Sequence, residues 1–410
     1  MNVYAGPERV ITRVTLRLVP LTPIHIGDGT EWRPDEYLIE DGRAAYDDES
    51  TDEPGSAAAH APATLCRFDQ QAAMRAMTPT QRTAFATALD RGKLVEAAKV
   101  LRAAGRSDIL ERIPLSAASR SDLARAMEEP LRAGAVKPFI RSGGRPYIPG
   151  SSIKGAFRTA LASAALPRGS RDDARWTHDF ALTDAFGLEQ GKTETDPLRF
   201  LSVSDAALPD GATLVDKAEV MKRGGAAPSG AKGGGGIQMH CERTRSLSED
   251  PQLAPAFSVT LAVDGRAAGP DGVRRPEARF DLWRALRVTR DFHVKLFNTE
   301  AKTFFEGPTK ALLTQRLQGH SGPGKEPPFT QAGWTPGFLL LRLGRFGHFE
   351  SKSLEGVRRG QFPQARNPAD KIRPPNAWGV TRTVTRDTKG NPIPFGWVIG
   401  WVAKEERPPC

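Results

Sequence analysis

The run Pro146-Tyr147-Ile148-Pro149-Gly150-Ser151-Ser152-Ile153-Lys154-Gly155-Ala156-Phe157-Arg158-Thr159-Ala160-Leu161 reads as the end of a strand, a Pro-Gly turn and a helix opening on two serines. Pro149 biases Ile148 toward extended backbone, and Gly150 can take a positive φ without steric cost. Ser151 or Ser152 suits the N-cap, and Ile153, Phe157, Ala160 and Leu161 fall on one apolar face. Open amides at a helix start favour an anion, and Lys154 and Arg158 stand one turn apart on one side. The stretch therefore offers a grip on phosphate. It is not a Walker A loop, because Gly155 follows Lys154 and no Gly-Lys-Ser/Thr triplet closes the run. The same residues also suit an ordinary capped helix whose two cations face solvent.

Around this stretch lie 410 residues, enough for two core-bearing domains or one enlarged by insertions. A formal net charge of +10 points to a polyanionic partner. Asp47, Asp48, Glu49, Asp52 and Glu53 gather in one acidic loop, which assigns the positive excess to a face rather than to the whole surface. Cys66, Cys241 and Cys410 are far apart and no Cys-x-x-Cys occurs, so neither a disulfide framework nor a zinc ribbon is supported. No apolar run approaches the roughly 18 residues of a membrane span, and the N-terminus has no h-region. The expectation is a cytoplasmic, reducing setting with no membrane partner, no cofactor and no metal.

Upstream, Val10 to Val19 alternates as a half-buried strand and runs into Leu21-Thr22-Pro23-Ile24-His25-Ile26-Gly27-Asp28-Gly29. Glu36 to Tyr46, centred on Asp41-Gly42, carries a hairpin signal, and Thr64 to Asp69 reads as a strand. Residues 70–131 are rich in Ala, Arg, Leu and Met at helical spacing, broken by Pro79, Pro114 and Pro130, and read as three or four short helices. Val136 to Ile148, turning at Ser142-Gly143-Gly144, returns to strand. Downstream, a helix is expected over Asp173 to Phe186 and a strand over Leu198 to Asp205. Lys222, Arg223 and Lys232 sit in a glycine-rich segment, expected to be mobile alone and to order on a ligand backbone. Gln238 to Arg245 and Phe257 to Val263 read as strands, and Glu277 to about Glu306 as the longest helix, with Phe280, Trp283, Leu286, Leu296 and Phe297 toward the core. Phe338 to Leu343 has the composition of a buried strand, and Gly344-Arg345-Phe346-Gly347-His348-Phe349-Glu350-Ser351-Lys352 follows it. Val380 to Thr385 and Pro394 to Val402 close the chain as strands. Short strands and hairpins alternating with helices imply an α+β fold of one or two ferredoxin-like, split-βαβ modules with a helical insertion. The division expected is 1–69 plus 132–210, the insertion 70–131, and 211–410.

Four places line up in an order that resembles the RAMP superfamily of CRISPR effector proteins. They are His25 in Leu21–Gly27, the Tyr147–Gly155 turn, the Gly344–Lys352 loop, and Thr381-Arg382-Thr383 ahead of Pro394-Phe395-Gly396-Trp397-Val398. The closing pattern looks most like the terminal subunit of the type III-A (Csm) complex. The resemblance implies a two-part ferredoxin-like protein without clear nuclease residues, binding crRNA near its 3′ end and capping the backbone filament. Other effector subunits are then its partners, and target RNA only indirectly. Carried over, Gly150, Ser151, Ser152, Lys154 and Arg158 would hold RNA phosphates together with Gly344, Arg345, Gly347 and Lys352; Phe346 and Arg382 complete the expected RNA-binding set. Filament subunits of such complexes cut target RNA with an aspartate after the His-Ile-Gly segment. Asp28 and Asp35 fall nearby, but Trp32-Arg33-Pro34 departs from that pattern.

His25 also admits a sharper reading, as general acid–base of a metal-independent crRNA-processing endoribonuclease; the plainer one is a hydrogen-bonded structural histidine. His240, Cys241 and Glu242 adjoin on one strand, where neighbours point to opposite faces, and make a poor chelate. Phe346 and His348 could stack on bases, and Arg358, Arg359, Arg366 and Arg373 lie in a Pro/Arg-rich loop.

Overall fold

The structure, a computed structural model, describes residues 10–41, 63–129, 134–166, 178–223, 238–305, 307–319, 329–330, 333–334, 338–358 and 379–406. From the N-terminus, β1 (Ile11–Pro20), β2 (Tyr37–Glu40) and β3 (Thr64–Phe68) lead into α1 (Gln70–Ala76), α2 (Pro79–Asp90) and α3 (Leu94–Ala104). β4 (Ile109–Pro114) and α4 (Ala117–Glu128) follow, then β5 (Val136–Lys137), β6 (Arg141–Ser142), β7 (Arg145–Ile148) and α5 (Gly150–Ala165). Next come α6 (His178–Phe186), β8 (Leu201–Val203), β9 (Ala206–Ala207), β10 (Thr213–Lys222), β11 (Gln238–Thr244) and β12 (Phe257–Asp264). The remainder is α7 (Leu282–Phe304), α8 (Pro308–Gly319), β13 (Phe329–Thr330), β14 (Gly333–Trp334), β15 (Phe338–Arg342), β16 (Thr381–Arg386), β17 (Pro392–Pro394) and β18 (Trp397–Glu406). The class is α+β.

Among the described residues two five-stranded sheets dominate, ordered β15-β18-β1-β12-β8 and β17-β16-β10-β11-β5. Each takes strands from both sides of residue 210. The division at 210/211 therefore does not follow the hydrogen bonding: β1 is flanked by β12 and β18, both from the second half of the chain. In β1, alternation sends Val14, Leu16 and Leu18 to one face, where Val259, Leu261, Leu339 and Leu341 join Ile153, Phe157 and Leu161 of α5 in the main core. On the other face, Phe338, Leu340, Trp397 and Ile399 pack against Phe292, Leu296 and Phe297 of α7 and Leu313 and Leu317 of α8.

Helix starts follow their caps. Asp69 caps α1, Thr78 and Gln81 form a capping box on α2, and Ser116 and Asp281 cap α4 and α7. The insertion contains four helices as expected, but also β4, which pairs with β3. Its alternation over Ile109, Glu111 and Ile113 is short and lay hidden within the helical pattern. β2 also pairs with β3, Tyr37 opposite Arg67, while the second arm of the hairpin expected at Asp41-Gly42 lies outside the described residues. Lys222 ends the ten-residue β10, which lies between β11 and β16, and was not a loop residue; Arg223 sits over the Phe304 ring at 5.5 Å, and Lys232 lies outside the described residues. Trp283 is 44% exposed rather than core. Cys66 and Cys241 are free and buried.

Candidate nucleic-acid interface

Beyond β1 the chain continues as Leu21–Gly27, and this segment joins the motif-bearing loops. The Leu21 and Thr22 amides donate to the Trp397 carbonyl at 2.9 and 3.1 Å, and the Gly396 amide donates to the Pro23 carbonyl at 2.7 Å. Thr244 N–H donates to Ile24 O at 2.9 Å, Arg345 N–H to His25 O at 2.9 Å, and Ile140 N–H to Ile26 O at 2.8 Å. Gly344 permits the approach to His25. Its φ is 84°, and a Cβ there would lie 2.5 Å from the His25 carbonyl oxygen.

Where these segments meet, a cleft of about 540 Å³ opens. It is lined by Ile26, Gly27 and Gly29, by Ser151, Ser152, Gly155, Arg158 and Thr159 of α5, and by Arg342, Gly344, Arg345, Ser351 and Lys352. The helix start and the glycine loop, far apart in sequence, thus line one site. Arg345 and Lys352 are exposed and make no ion pair among the described residues. Partial burial, then the charges of Arg342 and Arg345, hold the Lys352 ammonium below its usual pKa. Like charges converging in one recess favour an anion between them. Arg342 is 6% exposed; its Nη1 pairs with Glu300 Oε1 at 2.6 Å, while Nε and Nη2 have no hydrogen-bond partner among the described residues. A lone arginine in the otherwise apolar Phe338–Arg342 was the signal that could have found it.

The helix start differs from expectation in detail. Pro149 occupies the N-cap and α5 begins at Gly150, one residue before the serines. Gly150 is helical, and glycine is required there by close packing: a Cβ would lie 2.3 Å from the Val203 carbonyl oxygen. Its amide already donates to Asp205 Oδ1 at 2.7 Å, so it is not open to a phosphate. Arg158 lines the cleft but pairs with Asp196 at 2.6 Å and lies over the Phe186 ring at 5.4 Å. Lys154, half-exposed on the same helix, is not among the lining residues.

Two residues expected to meet RNA are interior. Phe346 is 7% exposed and packs on Phe395, with ring centroids 4.9 Å apart, and on the His25 ring. Arg382 is 1% exposed, with Nε on Glu300 Oε1 at 2.5 Å, Nη2 on Glu350 Oε1 at 3.0 Å and Phe304 beneath it. Trp397 Nε1 donates to the other Glu300 oxygen at 2.8 Å. Burial pushes the Glu300 carboxyl up, but Arg342 and Arg382 outweigh it and hold the group ionised. The closing motif therefore ties β16 and β18 to α7. His348, at φ 58°, accepts the Thr383 amide on Nε2 at 3.1 Å and is held neutral by burial and by Arg342 and Arg382. Arg358 is buried, and Arg359, Arg366 and Arg373 lie outside the described residues.

His25 is 1% exposed. Its Nδ1 lies 2.7 Å from the Glu242 carbonyl, which can only accept, so Nδ1 carries the proton. Burial lowers its pKa to about 4, which leaves Nε2 a bare acceptor, and that atom has no partner among the described residues. Glu242, also fully buried, takes a bidentate pair from Arg141 at 2.7 Å and a hydroxyl from Thr213 at 2.6 Å. His240 meets the Ser119 hydroxyl at 3.0 Å, so neighbours 240 and 242 have separate partners.

The RAMP superfamily model matches residues 17–217. No curated protein matches the sequence. Among solved structures, a chain of a Csm–crRNA–target RNA ternary complex from a type III-A CRISPR–Cas system superimposes with a TM-score of 0.59 at 18% identity, covering 95% of this chain and 99% of that one. Csm5 of T. onnurineus gives a TM-score of 0.50 at 18% identity, covering 93% of this chain and 99% of that one. At this identity the likeness establishes the fold. The motifs, the family match and the superposition agree: residues 17–217 match the RAMP superfamily, and the chain is structurally similar to Csm5 of a type III-A Csm complex.

Proposed function

We propose that the chain is a crRNA-binding, non-nucleolytic subunit of a type III-A CRISPR effector complex. It caps the backbone filament at the crRNA 3′ end, supports maturation of that end, and meets target RNA through the assembled complex. In this reading a ferredoxin-like module surrounds each five-stranded sheet. The observation that carries it is the cleft, where Ser151 and Ser152 of α5 and the Gly344–Lys352 loop come together with Arg345 and Lys352 unneutralised. The test is single-stranded RNA affinity across a salt series. Losing two phosphate contacts in Arg345→Ala with Lys352→Ala should lower the log–log slope by about 1.4, at ~0.7 per contact. An unchanged slope removes the cleft from the RNA path.

One observation favours the nuclease reading. The unpartnered Nε2 of His25 lies 3.1 Å from where a Cβ of Gly27 would stand, and Gly27 lines the cleft. Incubation with repeat-containing RNA in EDTA separates the two: specific cleavage lost in His25→Ala would make the chain an endoribonuclease.

A further inference from the structure

The face of the first sheet opposite the main core is covered by α7 and α8 at its β15–β18 end. Across β1, β12 and β8 no described helix packs on that face, and Arg13, Ser202, Ser258 and Thr260 on it are exposed. Register sets Arg17 opposite Ser258 and Trp401, and Thr15 opposite Thr260 and Lys404, all on this face by alternation. Arg13, Ser258, Thr260 and Lys404 are exposed, and Thr15, Arg17 and Trp401 are half-buried.

Cations outnumber carboxylates on this face. Arg13 and Arg17 make no ion pair among the described residues, and Arg17 has only a long 3.4 Å bond to the Ser258 hydroxyl. Of the carboxylates in this register, Asp264 is held by Arg266 at 2.8 Å, which leaves Glu406 opposite Arg13. Hydroxyls and cations on a sheet face do not suit an apolar partner; they suit an anion. Arg13 and Arg17 stand four residues apart on one strand, about 13 Å at ~3.3 Å per residue. That is too far to close on a single phosphate and suits successive charges of a linear polyanion.

We infer that this face is a second RNA track, which holds the sugar–phosphate backbone of a strand that extends beyond the cleft. The inference rests on the RNA-binding reading of the cleft. Its test uses the full chain, with oligouridylate in two lengths: one that fills only the cleft, and one long enough to run past it. With the long RNA, Arg13→Ala with Arg17→Ala should lower the log–log salt slope by about 1.4, and with the short RNA it should change nothing. Arg345→Ala with Lys352→Ala should lower the slope for both lengths. A wild-type slope for the sheet variant on long RNA, with the cleft variant still reduced, overturns this inference alone. Wild-type slopes for both overturn the RNA reading of the cleft as well. Should the arginine variant fail to fold, Ser258→Glu with Thr260→Glu decides, since both side chains are exposed: it must weaken long-RNA binding at unchanged thermal stability, and wild-type binding refutes the inference. Loss of a copurifying acidic protein with RNA binding intact assigns the face to that protein instead and likewise refutes it.

Discussion

Gly344→Ala should be the most damaging single methyl in the glycine loop. At φ 84° an L side chain meets its own carbonyl, costing about 1–2 kcal/mol. The new Cβ would also stand 2.5 Å from the His25 carbonyl oxygen, a backbone atom held by the segment that joins the loops, so the two segments must part. Parting them strains or breaks the 2.9 Å bond from Arg345 N–H to His25 O, worth about 1 kcal/mol. Together the loss is about 2–3 kcal/mol. Gly347→Ala provides the control: its φ is not positive, and a Cβ there meets the Ser351 hydroxyl at 3.0 Å, a side-chain atom at a longer distance rather than backbone at 2.5 Å. The assay is the shift in denaturant midpoint at constant m, read beside RNA affinity at a temperature where both variants remain folded. Equal midpoints for the two variants, or a larger loss for Gly347→Ala, would refute the argument that the loop is seated through Gly344.

Arg382→Met should destabilise the fold by about 3 kcal/mol, because Glu300 and Glu350 lose a buried partner, and leave the RNA salt slope unchanged. A reduced slope in a folded variant would return Arg382 to the RNA site. His25 and His293 both have pKa values lowered by burial to about 4 from 6.5, so the unfolded chain binds protons that the folded chain refuses. Stability is fully present above pH 6.5 and is lost as pH falls toward about 4, with a slope of ~1.4 kcal/mol per pH unit for each group. His293→Gln should remove one group's share of that slope, and an unaltered slope would show that the buried imidazole is not its source.

The α+β class, the alternation of β1, the core faces of α5 and α7 and the buried character of β15 follow from local periodicity, which neighbouring residues carry by themselves. So do the two local motifs of the cleft, because a helix start and a glycine-punctuated loop are short-range features. Whether those motifs meet is a long-range matter. It depends on Leu21–Gly27 bonding to Trp397, Gly396, Thr244, Arg345 and Ile140, and no spacing in the chain encodes those pairings. The same limit governs the arginines. Arg345 and Arg382 look alike in sequence, each beside a small or polar neighbour in a family motif. Only packing sends one to solvent and the other between Glu300 and Glu350, because a guanidinium's environment is set by the carboxylates that the fold brings to it.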